Sequence, residues 1–499
     1  MSDLLRKGRL GPVRKDVILF TSSAKDDKKI LKHIVDINKA HIVMLVENKV
    51  ISKKNGGKIL QALDGLEKKV KLRPEHEDAH VAIEEEVIKA AGEEIGGNLN
   101  LAKSRNDQVA TAIRMKLRQE VIRTIESIIN LQESLLKKAE GNIETLIPGY
   151  THLQPAQPIT FAHYLLAQFD ASQRDLKRLQ EAYSRIDLCP MGAGALATTS
   201  FPIKRERIAE LLGFSGILEN SLDAVSTRDF LLEVLAVLSV IAVNVMRIAE
   251  DLIVWSTTEF GMIELPDEFA FTSSIMPQKK NPDVLEVIRA RITSIIGEFT
   301  SSAAILKAMP AGYNLDFQEA TPHLWRATET AQRCLKMLAN VISNLKVQPH
   351  VMSKPEFSFL SATELANTLV RDHGVPFRTA HKIVGATIKT LIKQGKTLRD
   401  LKAEMLAEFS EKIFGSTVKV NEEEIMRIID LSSCVESCSV RGGPAKIETE
   451  RMLKERRNLL DHSRDWIRRR NNKLNSAEKM LSAEAEALIQ QISPLNRNT

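Results

Sequence analysis

The sequence predicts an all-α fold: a three-domain subunit centred on a bundle of five long helices, which assembles with further copies into a multi-subunit helical bundle. Three observations lead there. Aromatic residues make up only 5% of the 499 residues while Leu, Ile, Ala, Lys and Glu abound, a composition that favours helix over sheet. Apolar residues recur at helical spacing over stretches far longer than a strand, most clearly from Asn106 to Glu140. The polar, proline-containing stretches fall between these segments, where a backbone that cannot continue a helix belongs.

Taken in order, Lys28 to Val50 places Ile30, Ile34, Ile37, His41 and Met44 on one helical face, behind Ser22 and Ser23, which suit capping or ligand binding. Gly56-Gly57 is expected to break that pattern, ahead of helices over Lys58 to Val70 and Glu75 to Ala91. Gly96-Gly97 and Asn98 to Asn100 read as a loop, closing an N-terminal helical domain, 1–103. The central domain, 104–354, opens with Asn106 to Glu140, whose Val109, Ile113, Leu117, Val121, Ile125, Ile128 and Leu135 share a face. At the usual rise this helix is about 50 Å long. Thr160 to Ile186, Ser226 to Glu259, Asp283 to Met309 and Ala320 to Leu345 complete the five. Phe230 to Met246 is strongly apolar, and nearly all round from Leu231 to Val245, yet it is short for a membrane span and carries Glu233 and Asn244. Burial between associated bundles, with no membrane partner, is the expected reading. The C-terminal domain, 355–499, is smaller: Ala362 to Arg371, Phe377 to Ile392, Leu398 to Phe409, Glu422 to Ile429, and a helical pair after Gly442-Gly443-Pro444.

Composition narrows the partners. A net charge of +6 permits an anionic substrate without demanding nucleic acid. The basic run Lys454 to Lys473 is interspersed with Glu455, Asp461 and Asp465 and has Trp466 as its one aromatic, which reads as a solvated helix face. Four scattered cysteines imply no disulfide framework and fit a reducing, cytoplasmic setting. Cys434 and Cys438 have only His462 nearby, so no metal site is expected. The basic stretch Met1 to Arg14 lacks the apolar run of a secretory signal, and Gly192-Ala193-Gly194 lacks the context of a dinucleotide loop.

Four polar stretches at helix ends carry the chemistry. Ser104-Arg105-Asn106-Asp107-Gln108 opens the long helix, where unpaired N–H groups and the helix dipole favour an anion, although capping explains Ser104 or Asn106 equally well. In Pro148 to Pro158, three prolines bracket His152 beside Thr151, and a rigid frame is what a general acid or base requires. Thr272 to Asp283 presents two hydroxyls, two ammonium groups and a carboxamide between prolines, donors that suit an anionic ligand. Gly312 to Glu319 adds the phenol of Tyr313 and the amides of Asn314 and Gln318.

In this order the stretches resemble the argininosuccinate lyase branch of the fumarase and aspartase superfamily, whose shared signature is Gly-Ser-x-x-Met-Pro-x-Lys-x-Asn-Pro. The likeness rests on Met276 to Asp283, Ser104 to Gln108, Tyr150 to Pro158 and Tyr313 to Gln318, and extends from about Ser23 to Gly443. It implies a homotetramer in which each active site draws loops from three subunits. It also implies cleavage of argininosuccinate to fumarate and L-arginine without metal or organic cofactor. Carried onto this chain, Ser273 is the base, Lys279 and Asn281 meet the developing dianion, and His152, oriented by Glu286, protonates the leaving nitrogen. Ser23, Ser104, Arg105, Asn106, Thr151, Tyr313 and Gln318 match the substrate-binding positions, His80 resembles a site-lining position, and Arg228-Asp229 is expected to brace the loop through an ion pair.

Two departures stand out. Thr272 occupies the signature's first Gly, where a β-branched residue restricts loop movement, and Thr321 stands where many members carry Lys. The alternatives are another fumarate-releasing lyase, acting on adenylosuccinate, aspartate or malate, and an inactive structural protein with the lyase fold.

Overall fold

The computed structural model describes residues 11, 13–73 and 75–492; most of the basic N-terminal stretch lies outside them. Long antiparallel helices run through one large core. The N-terminal part contains α1 (Leu31–Glu47), α2 (Lys53–Leu63) and α3 (Ala79–Ala91). The centre holds α4 (Arg105–Glu140), α5 (Phe161–Ile186), α6 (Asp229–Trp255), α7 (Asp283–Leu306) and α8 (Asp316–Asn344). Then follow α9 (Ala362–Arg371), α10 (Phe377–Lys393), α11 (Ala403–Phe414), α12 (Glu422–Ile429) and the terminal α13 (Lys446–Gln490).

Local chemistry explains the longest central helix. Ser104 caps α4 by accepting from the Asn106 N–H, and Asp107 accepts from the Ser104 N–H at 3.1 Å, a capping box. Of its predicted stripe, Ile113, Leu117, Val121, Ile125, Ile128 and Leu135 are buried. Helix α6 packs on α5, α7 and α8, with Leu231, Val234, Leu235, Leu238, Ile241 and Val245 inward. It is long and apolar enough to cross a membrane, and it is not buried on all sides within one chain. Val240 and Val243 on α6 are 41% and 45% exposed, and Val287 and Ile296 on α7 are 43% and 37% exposed. One apolar face of the bundle is therefore uncovered.

Several elements differ from expectation. Gly56-Gly57 does not break a helix; α2 runs through both. A Cβ on Gly57 would lie 2.8 Å from the Leu488 carbonyl oxygen, so the glycines permit close helix contact that outweighs their low helix propensity. Gly96-Gly97 and the asparagines form short helical turns, Glu93–Gly96 and Gly97–Asn100, rather than an open loop. The expected C-terminal pair is one helix of 45 residues, α13, because nothing after Pro444 interrupts it. Residues of α9 to α12 enclose a core of their own around Leu365, Ile383, Leu391 and Ile425. By contrast, α13 returns to pack on α1, α2, α4 and α5. Its basic run is largely ion-paired, Arg456 with Asp170, Arg457 with Glu140 and Arg464 with Glu133.

Two of the polar stretches are hairpins. Leu146–Thr151 pairs antiparallel with Gln154–Thr160, leaving His152 and Leu153 at the tip, both at φ 56°. Left-handed backbone at two non-glycine residues is the strain of a tight hairpin turn, held here by the paired prolines Pro148 and Pro158. Phe271–Thr272 pairs with Lys280–Asn281, so the signature loop is the connection of a second, very short hairpin.

Candidate active site

A cavity of about 280 Å³ lies between the N-terminal helices, the start of α4 and the start of α8. Ser23, Arg105, Asn106, Tyr313 and Gln318 line it, five of the expected binding residues from three distant parts of the chain. Gln318 Nε2 donates to the Thr21 carbonyl at 2.9 Å, and Asn106 Nδ2 to the Ala195 carbonyl at 3.1 Å. Ser23 Oγ donates to Asp27 at 2.9 Å, and the same Asp27 oxygen accepts from the Ala79 N–H at 3.0 Å. Ser104 caps α4, the structural role that its position allowed.

The cavity is richer in acid than the motifs suggested. Arg105 NH1 meets Asp78 at 2.7 Å and Glu77 at 3.1 Å, while Asp26 and Asp27 also line the wall. Burial pushes the Asp27 carboxyl up to about 6, with the charge of Asp78 adding to the effect. Burial likewise raises the Tyr313 phenol. Below the cavity, Lys103 is driven down to about 7 by burial while its ammonium donates to Asn38. His80 is buried and does not line the cavity, and neither ring nitrogen has a hydrogen-bond partner. Asp107 accepts from the N–H groups of Gly192 at 3.0 Å and Gly194 at 2.8 Å. That glycine pair, at φ 85° and 62°, cradles an internal carboxylate.

The expected proton-transfer residues lie elsewhere. None of Ser273, Lys279, His152, Glu286, Thr151 or Asn281 lines the cavity. His152, Thr151, Lys279 and Glu286 are exposed, and Asn281 is half-buried in its short strand. Ser273 Oγ accepts from the N–H groups of Ile275 at 3.3 Å and Met276 at 3.2 Å. Lys280 Nζ anchors the base of this hairpin to Glu264 at 2.9 Å and Asp267 at 2.8 Å. Thr272 sits in the paired strand at ordinary extended angles, so its β-branch is accommodated in this conformation.

Arg228 and Asp229 form no ion pair with each other. Arg228 is buried with its guanidinium 4.4 Å from the Phe317 ring, donating to the Val225 and Thr227 carbonyls, while Asp229 accepts from Thr227 Oγ1 and the Phe230 N–H. Sequence reasoning missed Asp27, Glu77 and Asp78. The one available hint was Ser23 with Asp27 four residues on, a pair that shares a helical face. Thr321, noted as a departure, does line the cavity and spends its hydroxyl proton on the Phe317 carbonyl at 2.9 Å.

A helical bundle with a serine-bearing signature hairpin defines a lyase of the fumarase and aspartase type. A family profile described as Lyase matches residues 12–297, and one described as Argininosuccinate lyase C-terminal matches 359–436. A solved structure of EDDS lyase in complex with formate superposes with TM-score 0.87 at 28% identity, covering 97% of each chain. Class II fumarase from Schistosoma mansoni shares the fold, with TM-score 0.70 at 17% identity over 85% of this chain and 95% of that one. The argininosuccinate lyase of Methanocaldococcus jannaschii is 42% identical over 485 residues, 96% of this chain and 99% of the relative. That of Methanosarcina barkeri is 43% identical over 474 residues, 94% and 95% respectively. The chain belongs to the argininosuccinate lyase family.

Proposed function

We propose that the chain cleaves argininosuccinate to fumarate and L-arginine by general acid and base catalysis, in the cytoplasm, as a homotetramer with shared active sites. The observation that carries the chemistry is the pair of amide N–H groups directed at Ser273 Oγ. A serine hydroxyl is a poor base because its alkoxide is costly, and donors already aimed at the oxygen lower that cost. Lys279, three residues beyond Met276 on the same turn, supplies positive charge. Ser273 removes the proton next to the substrate carboxylate. Lys279 and Asn281 stabilise the resulting dianion, and the carbon–nitrogen bond then breaks. His152, oriented by Glu286, gives the departing guanidino nitrogen its proton, so charge and atoms balance across the step.

The cavity binds the rest of the substrate. Only NH1 of Arg105 is engaged by Glu77 and Asp78, so the other edge of its guanidinium serves a substrate carboxylate. Ser23, Asn106, Tyr313 and Gln318 supply the remaining hydrogen bonds. Ser104 acts through the α4 cap, and Thr151 acts beside His152.

Two observations support shared sites. The residues assigned to proton transfer project on hairpins outside the cavity, and the uncovered faces of α6 and α7 are apolar where a second bundle would pack. Free cysteines, three of them buried, fit the reducing compartment. Absorbance in the fumarate band tests the reaction: it rises with argininosuccinate and stays flat with adenylosuccinate, aspartate or malate. A rise with one of the latter instead reassigns the substrate. Assembly is tested separately by reassociating a Ser273→Ala chain with an Arg105→Ala chain. Shared sites restore measurable activity to the mixture, whereas sites confined to one chain leave it dead.

A further inference from the structure

The carboxylate of Asp107 is fully buried, and its two oxygens have separate tasks. Oδ1 accepts from the Ser104 N–H at 3.1 Å and completes the cap of α4. Oδ2 accepts from the N–H groups of Gly192 at 3.0 Å and Gly194 at 2.8 Å, which lie 85 and 87 positions further along, in the connection between α5 and α6. A cap needs only the first oxygen and works equally well in water. Burying the carboxylate is costly, so the second set of bonds points to a task beyond capping.

The connection is held from behind. Arg205 donates from Nε to the Met191 carbonyl at 3.2 Å and from NH2 to the Leu218 carbonyl at 2.6 Å, while the Thr198 N–H closes a turn on the Ala193 carbonyl at 2.8 Å. Ser221 Oγ adds a bond to the Leu196 carbonyl at 2.9 Å. Against this fixed loop the start of α4 is fastened at three points, the two glycine amides on Asp107 and the Ala195 carbonyl on Asn106 Nδ2. The two residues that precede Asp107, Arg105 and Asn106, line the cavity, and Asp107 does not. Glu77 and Asp78 hold the far end of Arg105, which leaves the backbone beneath both residues to be fixed.

We propose that Asp107 is a positioning residue for substrate binding: by joining the first turn of α4 to the loop at 192–195, it fixes the direction in which Arg105 and Asn106 meet the substrate. The inference rests on the proposed cleavage of argininosuccinate and adds to it a residue that does not touch the substrate. Ser273 and His152 belong to the two hairpins, to which Asp107 makes no hydrogen bond, so its loss falls on binding rather than on proton transfer.

Steady-state fumarate release by Asp107→Asn, measured well below its melting temperature, tests the assignment. Asparagine keeps the shape and one acceptor oxygen, and its NH2 faces one of the two sets of donors. KM for argininosuccinate is expected to rise about tenfold or more, with kcat within about threefold of the unaltered chain. Gly194→Ala disturbs the same joint from the loop side, because at φ 62° its Cβ would stand 2.6 Å from the Thr198 carbonyl oxygen, and it should raise KM in the same way. The double variant should raise KM no further than the worse single one, since both break one contact. A lower melting temperature with KM within about twofold of the unaltered chain would reduce Asp107 to a cap and overturn the proposal. So would a fall in kcat at constant KM, or effects that multiply in the double variant. Should Asp107→Asn fail to fold, Gly194→Ala decides by the same criterion. Calorimetric binding of argininosuccinate in a Ser273→Ala background applies the same ratio without turnover. A parent chain that releases no fumarate would therefore refute the proposed reaction, while the binding ratio still judges Asp107.

Discussion

The cavity around Arg105 and the two exposed hairpins are built on opposite plans. In the cavity, four of the five polar side chains that sequence pointed to are already engaged: Ser23 with Asp27, Asn106 with the Ala195 carbonyl, Gln318 with the Thr21 carbonyl, Arg105 with Asp78. On the hairpins, His152 and Lys279 project into solvent, and Ser273 meets only the amides of its own turn. On the proposed assignment, the first is a receptor preorganised within one chain, and the second is a set of reactive groups awaiting their surroundings. Recognition needs fixed geometry before the substrate arrives. A proton-transfer group can be delivered by a partner or a moving loop, provided that the final geometry is tight.

The largest effects should fall on the hairpins. Ser273→Ala and His152→Asn are each expected to lower kcat by about two to four orders of magnitude with unchanged far-ultraviolet circular dichroism, because both positions are outside the core. Loss of helix with either variant would make these residues structural and erase the contrast. In the preorganised half the effect should appear in stability. Asp107→Asn turns an amide NH2 toward the N–H groups of Ser104 or of Gly192 and Gly194. Denaturant titration should show a loss of about 2–3 kcal/mol.

The pH response sharpens the same contrast. Asp27 titrates at about 6 when folded, against 3.8 for the ordinary carboxyl. Between these values the folded chain holds a proton that the unfolded chain has released. The buried carboxylate therefore costs nothing below the lower value, and its cost grows through the window and is complete above the upper one. Unfolding free energy should accordingly be greater near pH 5 than near pH 7.5, with Asp27 contributing on the order of 1–3 kcal/mol. Asp27→Asn should flatten that part of the profile; an unaltered profile would place the titration elsewhere. The smallest effect belongs to Lys280→Met at the foot of the signature hairpin. Its partners are exposed, so the change in stability should stay within about 0.5 kcal/mol and diminish in salt.

The helices were legible because each carries its own instructions. Asn106 to Glu140 announces itself by an unbroken stripe and a capping residue, and the structure begins α4 one residue earlier, at Arg105. Glu422–Ile429 and Ala362–Arg371 have the bounds that their patterns predict. Local rules failed where a distant surface overrode them. Gly56-Gly57 reads as a break until α13 is brought against it, and Gly192-Ala193-Gly194 has no evident purpose until Asp107 is seen between its amides. His152 was recognisable by its proline frame, although the hairpin was not. Glu77 and Asp78 were invisible, since single carboxylates carry no motif, and Asp27 had only its spacing from Ser23 to mark it.

By itself, the sequence determined the helical class, the long central helices and the motif blocks that identify the family. Periodicity, caps and short ordered motifs are all local properties of a chain. Tertiary structure alone decided which of those blocks share a cavity, that Arg105 is already held by two acids, and that one face of α6 and α7 is left bare. Those outcomes depend on contacts between residues hundreds of positions apart, such as Gln318 with Thr21. They arise only when packing fixes the distances over which charge and hydrogen bonds act.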